Sequence, residues 1–155
     1  MTDRISRNFT VAEMTVSATA ARMGRVVELA EYARPNLERL CADILEPLRA
    51  SLRRPIVVIS GYRPPWLNRA AGGSPTSQHM RGEAADIIVP GFTPREVCER
   101  IIRLELPFHQ LILEFPPNGW VHVSCAPEGA KAPAGQVRTA RKVNGLTRYT
   151  PGLVA

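Results

Sequence analysis

The sequence predicts an α+β domain in which N-terminal helices pack on a mainly antiparallel sheet. Helical periodicity is concentrated in the amino-terminal third, and short β-rich runs bounded by Gly, Pro or Asn follow it. One further helix signature, beginning at Thr93, interrupts those runs. The 155 residues are enough for a single domain, 1–155, that buries roughly 70% of its unfolded surface without disulfides or a partner.

The elements follow in order. Thr10 with Glu13, and Thr93 with Glu96, have the spacing at which a threonine hydroxyl caps the first helical turn and the glutamate returns the bond. Leu37, Leu40, Cys41, Ile44, Leu45 and Leu48 recur at offsets of three and four, which draws one apolar stripe on a helix starting near Pro35. Pro47, late in that stripe, is expected to kink or end it. Pro55 to Ile59, Ala84 to Val89, Leu111 to Phe115 and Trp120 to Ser124 read as strands. At the second capping site Pro94 takes the first helical position, and Val97, Cys98, Ile101 and Ile102 supply the buried face of a helix reaching about Leu104. Cys41 and Cys98 are thus core residues. Gln136 to Val143 and Leu146 to Thr150 flank Asn144-Gly145, a strong signal for a two-residue hairpin. Between Gly61 and Arg81 runs a long irregular segment, a type that in compact domains is usually functional.

Composition excludes several classes. Cys41, Cys98 and Cys125 are too few and too scattered for a disulfide framework. No apolar run approaches the ~20 residues that cross a bilayer, and Met1 to Thr10 lacks a hydrophobic signal core. Synthesis in the cytoplasm is therefore expected, with release to the cell wall through a membrane lesion made by another protein if the chain is phage-encoded. The net charge of +6 comes from arginines spread from Arg4 to Arg148 without a block, which suits a solvated basic surface or an anionic partner such as cell wall. Nucleic-acid binding through Arg138, Arg141, Lys142 and Arg148 would rest on charge alone, with no aromatic stacking platform, so no nucleic-acid partner is expected. The chain is expected to act as a monomer.

Three good metal ligands stand at costly positions. Asp86 interrupts an apolar strand, where an uncompensated carboxylate costs several kcal/mol. His79 precedes it by seven residues, too far along a straight helix to share an ion, but Gly82 lies between them and allows a bend. His122 shares a strand face with Trp120 and Ser124, while Val121 and Val123 face the other way. Two nitrogens and one oxygen would make a tetrahedral zinc (Zn2+) site with a position left for water. Cys125, at an odd offset from His122, should point away.

Such a site needs a base, and Glu114 is the candidate. If Pro117-Asn118-Gly119 is a three-residue hairpin loop with Gly119 left-handed, Glu114 lies directly across from His122; a two-residue loop would turn it away.

Ser60-Gly61-Tyr62-Arg63, then Ser77-x-His79-x-x-Gly82-x-Ala84-x-Asp86, then Trp120-Val121-His122-Val123-Ser124 resemble the zinc D-Ala-D-Ala carboxypeptidases and peptidoglycan endopeptidases of the M15 type. These share the hedgehog/DD-peptidase fold, and the likeness is closest to the small members often found in phage and prophage genomes. The resemblance implies that His79, Asp86 and His122 bind zinc and that Arg63 polarises the scissile carbonyl. It also implies that Ser77 contacts substrate, and Trp120 and Arg63 are expected to do so as well. Many members carry the catalytic Asp or Glu three residues before the final histidine. That position is Gly119 here, so Glu114 would have to supply the base from the neighbouring strand.

The expected function is therefore zinc-dependent hydrolysis of peptidoglycan stem peptides, at the D-Ala-D-Ala bond. A zinc-stabilised module that binds cell wall or a protein without cutting it is the alternative.

Overall fold

In a computed structural model of the chain, which describes residues 2–155, the capping box at Thr10 is complete: its hydroxyl accepts from the Glu13 N–H, and the Glu13 carboxylate accepts from the Thr10 N–H. It joins a small ribbon, β1 (Arg4–Ser6) and β2 (Phe9–Thr10), to helix α1 (Val11–Met14). After α2 (Ala18–Arg22), the leucine stripe forms α3 (Arg34–Leu40), a π turn (Cys41–Leu45) and α4 (Glu46–Leu52) as one uninterrupted helical run. Of the kink or end expected at Pro47, the end does not occur, since the helix runs on to Leu52. The wider π turn just before Pro47 relieves the clash between the proline ring and the carbonyl one turn back.

The sheet strands are β3 (Val57–Ser60), β4 (Ala84–Ile88), β5 (Phe108–Glu114), β6 (Trp120–Cys125), β7 (Gln136–Val143) and β8 (Leu146–Pro151). Helix α5 (Pro65–Ala70) lies between β3 and β4 in the chain, and α6 (Pro94–Arg103) between β4 and β5. The Thr93 hydroxyl caps α6 by accepting from the Glu96 N–H, but the Glu96 carboxylate meets that hydroxyl rather than the Thr93 N–H, so the second box is half-closed. Asn144 (φ 51°) and Gly145 (φ 78°) have the left-handed pair of angles that a type I′ hairpin turn requires.

The strand order is β3-β4-β6-β5-β7-β8, and every neighbouring pair is antiparallel except β5 with β7. Alternation divides the two faces. Ala85, Ile87, Leu111, Leu113, Val121 and Val123 join the stripe of α3 and α4 in the core, together with Cys41 and Cys98. The intervening residues, among them Asp86, Ile112 and His122, form the floor of a cleft on the opposite face. No helix among the described residues is long and apolar enough to cross a membrane.

Candidate metal centre

The bend expected at Gly82 exists and is built by its neighbours. The Ser77 hydroxyl accepts from the His79 N–H and caps a 3₁₀ turn, Gln78–Arg81, which Gly82 closes at φ 73°. A Cβ on Gly82 would lie 2.6 Å from the Ala33 carbonyl oxygen, so space as well as backbone angle demands glycine. This turn swings His79 back over β4. Asp86 and His122 need no such device, because they are direct cross-strand partners on β4 and β6.

The three side chains converge to within bonding distance of a common point. His122 Nδ1 is 3.0 Å from Asp86 Oδ1, His79 Nε2 is 3.3 Å from the same oxygen, and the two ring nitrogens are 3.2 Å apart. Ligands about 2.0–2.1 Å from a tetrahedral zinc stand about 3.3 Å from one another, so this triangle has the size of one face of that tetrahedron.

Proton counting points the same way. His79 Nδ1 lies 2.8 Å from the Gly61 carbonyl, which can only accept, so Nδ1 carries the hydrogen and Nε2 presents a lone pair. Burial pulls His79 below the ordinary imidazole value, against the opposite pull of Asp86, and keeps it neutral. Against the pull of burial, which would raise it, the Asp86 carboxyl lies well below the usual carboxylate range and is ionised. Three closely packed acceptor atoms thus share at most one hydrogen, on His122 Nδ1. A cation satisfies all three at once, and the donor set fits zinc.

A family model described as Peptidase M15 matches residues 7–124, a span that includes all three of these side chains. The chain belongs to the peptidase M15 family. Its members are metal-dependent peptidases, typically zinc enzymes, of peptidoglycan-type substrates. No curated protein matches the chain.

The remaining candidate residues of this M15 peptidase line the same cleft, of about 790 Å³. The backbone N–H of Arg63 donates to the His79 carbonyl (3.0 Å), which ties Arg63 to the turn that carries His79. Its Nη2 reaches the Ser77 hydroxyl at 3.4 Å, whereas its buried Nε has no partner among the described residues. Burial lowers the Arg63 pKa and Asp86 opposes that shift.

Glu114 faces the cleft by a different register from the one expected. The connection between β5 and β6 spans Phe115 to Gly119, so Glu114 pairs with Trp120, and Ile112 is the residue opposite His122. The shift is by two residues. Because side chains alternate with period two, Glu114 stays on the His122 face, on the diagonal rather than directly across. Gly119 is not the left-handed residue either; Phe115 is (φ 51°). What Gly119 supplies is room, since a Cβ there would lie 1.8 Å from the Glu114 carbonyl oxygen. This explains the departure from the common family pattern. No carboxylate can occupy position 119 while the chain turns this tightly against Glu114. Burial pushes Glu114 up to about 7, the neighbouring His122 lowering it and Asp86 adding to the rise.

Trp120 stacks edge-on against Phe115 (5.3 Å between centroids) at the cleft wall. Cys125, as alternation requires, lies in the core and touches the Glu83 carbonyl. Gln110, Arg138 and Tyr149 also line the cleft, and sequence reasoning missed them as site residues. Alternation within β7 and β8 marks which residues share a face, but only the parallel pairing of β7 with β5 brings that face to the side of His79, Asp86 and His122.

Proposed function

We propose that this M15 metallopeptidase is a zinc enzyme that hydrolyses the D-Ala-D-Ala bond of peptidoglycan stem peptides. The observation that carries the proposal is the proton-poor triangle of His79, Asp86 and His122, with a carboxylate of perturbed pKa, Glu114, on the same sheet face. A divalent cation held by the three ligands supplies Lewis acidity toward the scissile carbonyl and toward water.

The protein's own groups do the rest. Glu114 takes the proton of the attacking water and returns it to the leaving amine, and a value of about 7 suits both directions of transfer near neutral pH. Arg63 brings an unpartnered buried N–H and a permanent positive charge to the oxygen on which negative charge develops. Ser77 holds the Arg63 fork and the His79 turn together, and with Trp120 it contacts the bound peptide.

Metal analysis paired with Glu114→Ala tests this scheme. The expected result is one zinc per chain in both proteins, with hydrolysis of a stem pentapeptide reduced about 10²–10⁴-fold in the variant. Undiminished hydrolysis in the variant would remove Glu114 from the role of base. Binding of wall fragments without turnover in the zinc-loaded parent would favour the non-cutting alternative.

A further inference from the structure

The cleft also carries an arginine, Arg138, that forms no ion pair among the described residues. Cross-strand register puts Asp86 beside His122, His122 beside Ile112, and Ile112 beside Arg138, so the four lie in one row across the same sheet face. Arg138 lines the cleft, is half-buried, and forms no ion pair or hydrogen bond among the described residues. Its neighbours on β7 are engaged: Arg141 donates to the Val154 carbonyl, and Lys142 donates to the Thr147 hydroxyl and lies over the Phe115 ring. One row on, Glu114 pairs with Ala140 and Ala140 with Tyr149, so a phenol stands on the same face near Arg138.

The spacing selects what this arginine can meet. Two strand separations of about 4.8 Å put the Arg138 backbone about 10 Å from that of His122. An extended peptide advances about 3.3–3.5 Å per residue, so a group at that distance lies about two to three residues from the scissile bond. The terminal carboxylate of a D-Ala-D-Ala substrate is only one residue away. Carboxylates borne further along a stem peptide, on its acidic residues, fall within the span.

We propose that Arg138, with Tyr149 beside it, is an anion subsite that recognises a substrate carboxylate remote from the hydrolysed bond; this rests on the peptidase assignment above and adds a determinant of specificity to it. The guanidinium provides a planar pair of donors matched to a carboxylate, and the phenol can supply a further O–H donor. Arg138 touches no reacting atom and acts on binding, not on the chemical step.

Two stem pentapeptides that differ only in whether their acidic-residue carboxylates are free or amidated test the subsite. In the zinc-loaded enzyme the free-acid peptide is expected to have a KM about tenfold lower than its amide, at similar kcat. Arg138→Gln should bring the ratio close to one, and Arg138→Glu should invert it in favour of the amide. A ratio that survives Arg138→Gln, or equal losses on both peptides, would overturn the proposal. Calorimetric binding of the same two peptides to zinc-loaded Glu114→Gln, with and without Arg138→Gln, reads the ratio without turnover. Absent hydrolysis in the parent with an Arg138-dependent binding ratio would overturn the peptidase assignment and keep the subsite; hydrolysis with no such ratio would do the reverse.

Discussion

Glu83 and Asp86 are carboxylates three residues apart on one stretch of chain, and the protein treats them in opposite ways. Glu83 is fully buried and saturated with donors: Arg81 Nε at 2.7 Å and Gln78 Nε2 at 3.4 Å on one oxygen, and the Glu128 N–H at 2.9 Å on the other, with Arg39 Nη2 3.9 Å away. Asp86 meets two imidazoles that have too few hydrogens to satisfy it. Burial of a charge therefore does not by itself mark a functional group. The count of available donors does. Where it balances, the carboxylate pins loops together; where it falls short, a bound cation would complete the count.

The largest test of this contrast is Asp86→Asn. It should abolish stoichiometric zinc binding and lower stem-peptide hydrolysis about a thousandfold or more. Added zinc should raise the melting temperature of the parent, because it binds the folded state, and leave that of the variant unmoved. A variant that keeps its zinc and its activity would break the distinction.

Glu83→Ala should do the converse. Removing the acceptor shared by Arg81, Gln78 and Glu128 is expected to destabilise the fold by about 3 kcal/mol, the lower end for a broken buried pair because both arginines can rehydrate. In thermal unfolding that corresponds to a drop of about 6–12 °C for a domain of this size. The folded fraction should still take up one zinc per chain. Loss of metal without loss of stability would assign Glu83 to the wrong side of the comparison.

The smallest effect sharpens the comparison with a third carboxylate. Glu114 is raised from 4.5 to about 7 in the folded protein, so the folded state holds its proton more tightly than the unfolded chain does. Its contribution to stability is fully present below the ordinary carboxylate range and is lost as pH rises through about 7. Glu114→Gln should therefore raise the melting temperature of the metal-free protein at pH 8 and leave it nearly unchanged at pH 4. An equal change at both pH values would show that desolvation of the charged form is not what perturbs this group.

The convergence of His79, Asp86 and His122 was legible because each part had a local cause. Period-two alternation set His122 opposite the two valines, and a glycine between His79 and Asp86 permitted the bend. The same holds for the capping threonines and for the Asn144-Gly145 turn. The loop joining β5 to β6 was misjudged because Gly119 looks like a left-handed turn residue; it is needed instead for its close approach to Glu114, which no pattern of residue types encodes. The expected pairing of Glu114 with His122 failed, and parity alone kept Glu114 on the His122 face. The end expected at Pro47 failed for a similar reason, since a π turn is a response of the whole helix to a residue that propensity alone would place at its end.

Taken by itself, the sequence determined the elements whose signals span a few residues: which stretches form helices or strands, where they are capped, and which side chains share a face. Those follow from steric and hydrogen-bonding preferences that neighbours in the chain impose on one another. Only the tertiary structure decided the register of β5 against β6, the parallel placement of β7 beside β5, and hence the presence of Glu114 and Arg138 in one cleft with His79, Asp86 and His122. Such pairings are selected by packing and by backbone hydrogen bonds between segments far apart in the chain, and residue patterns constrain them only through the period of two.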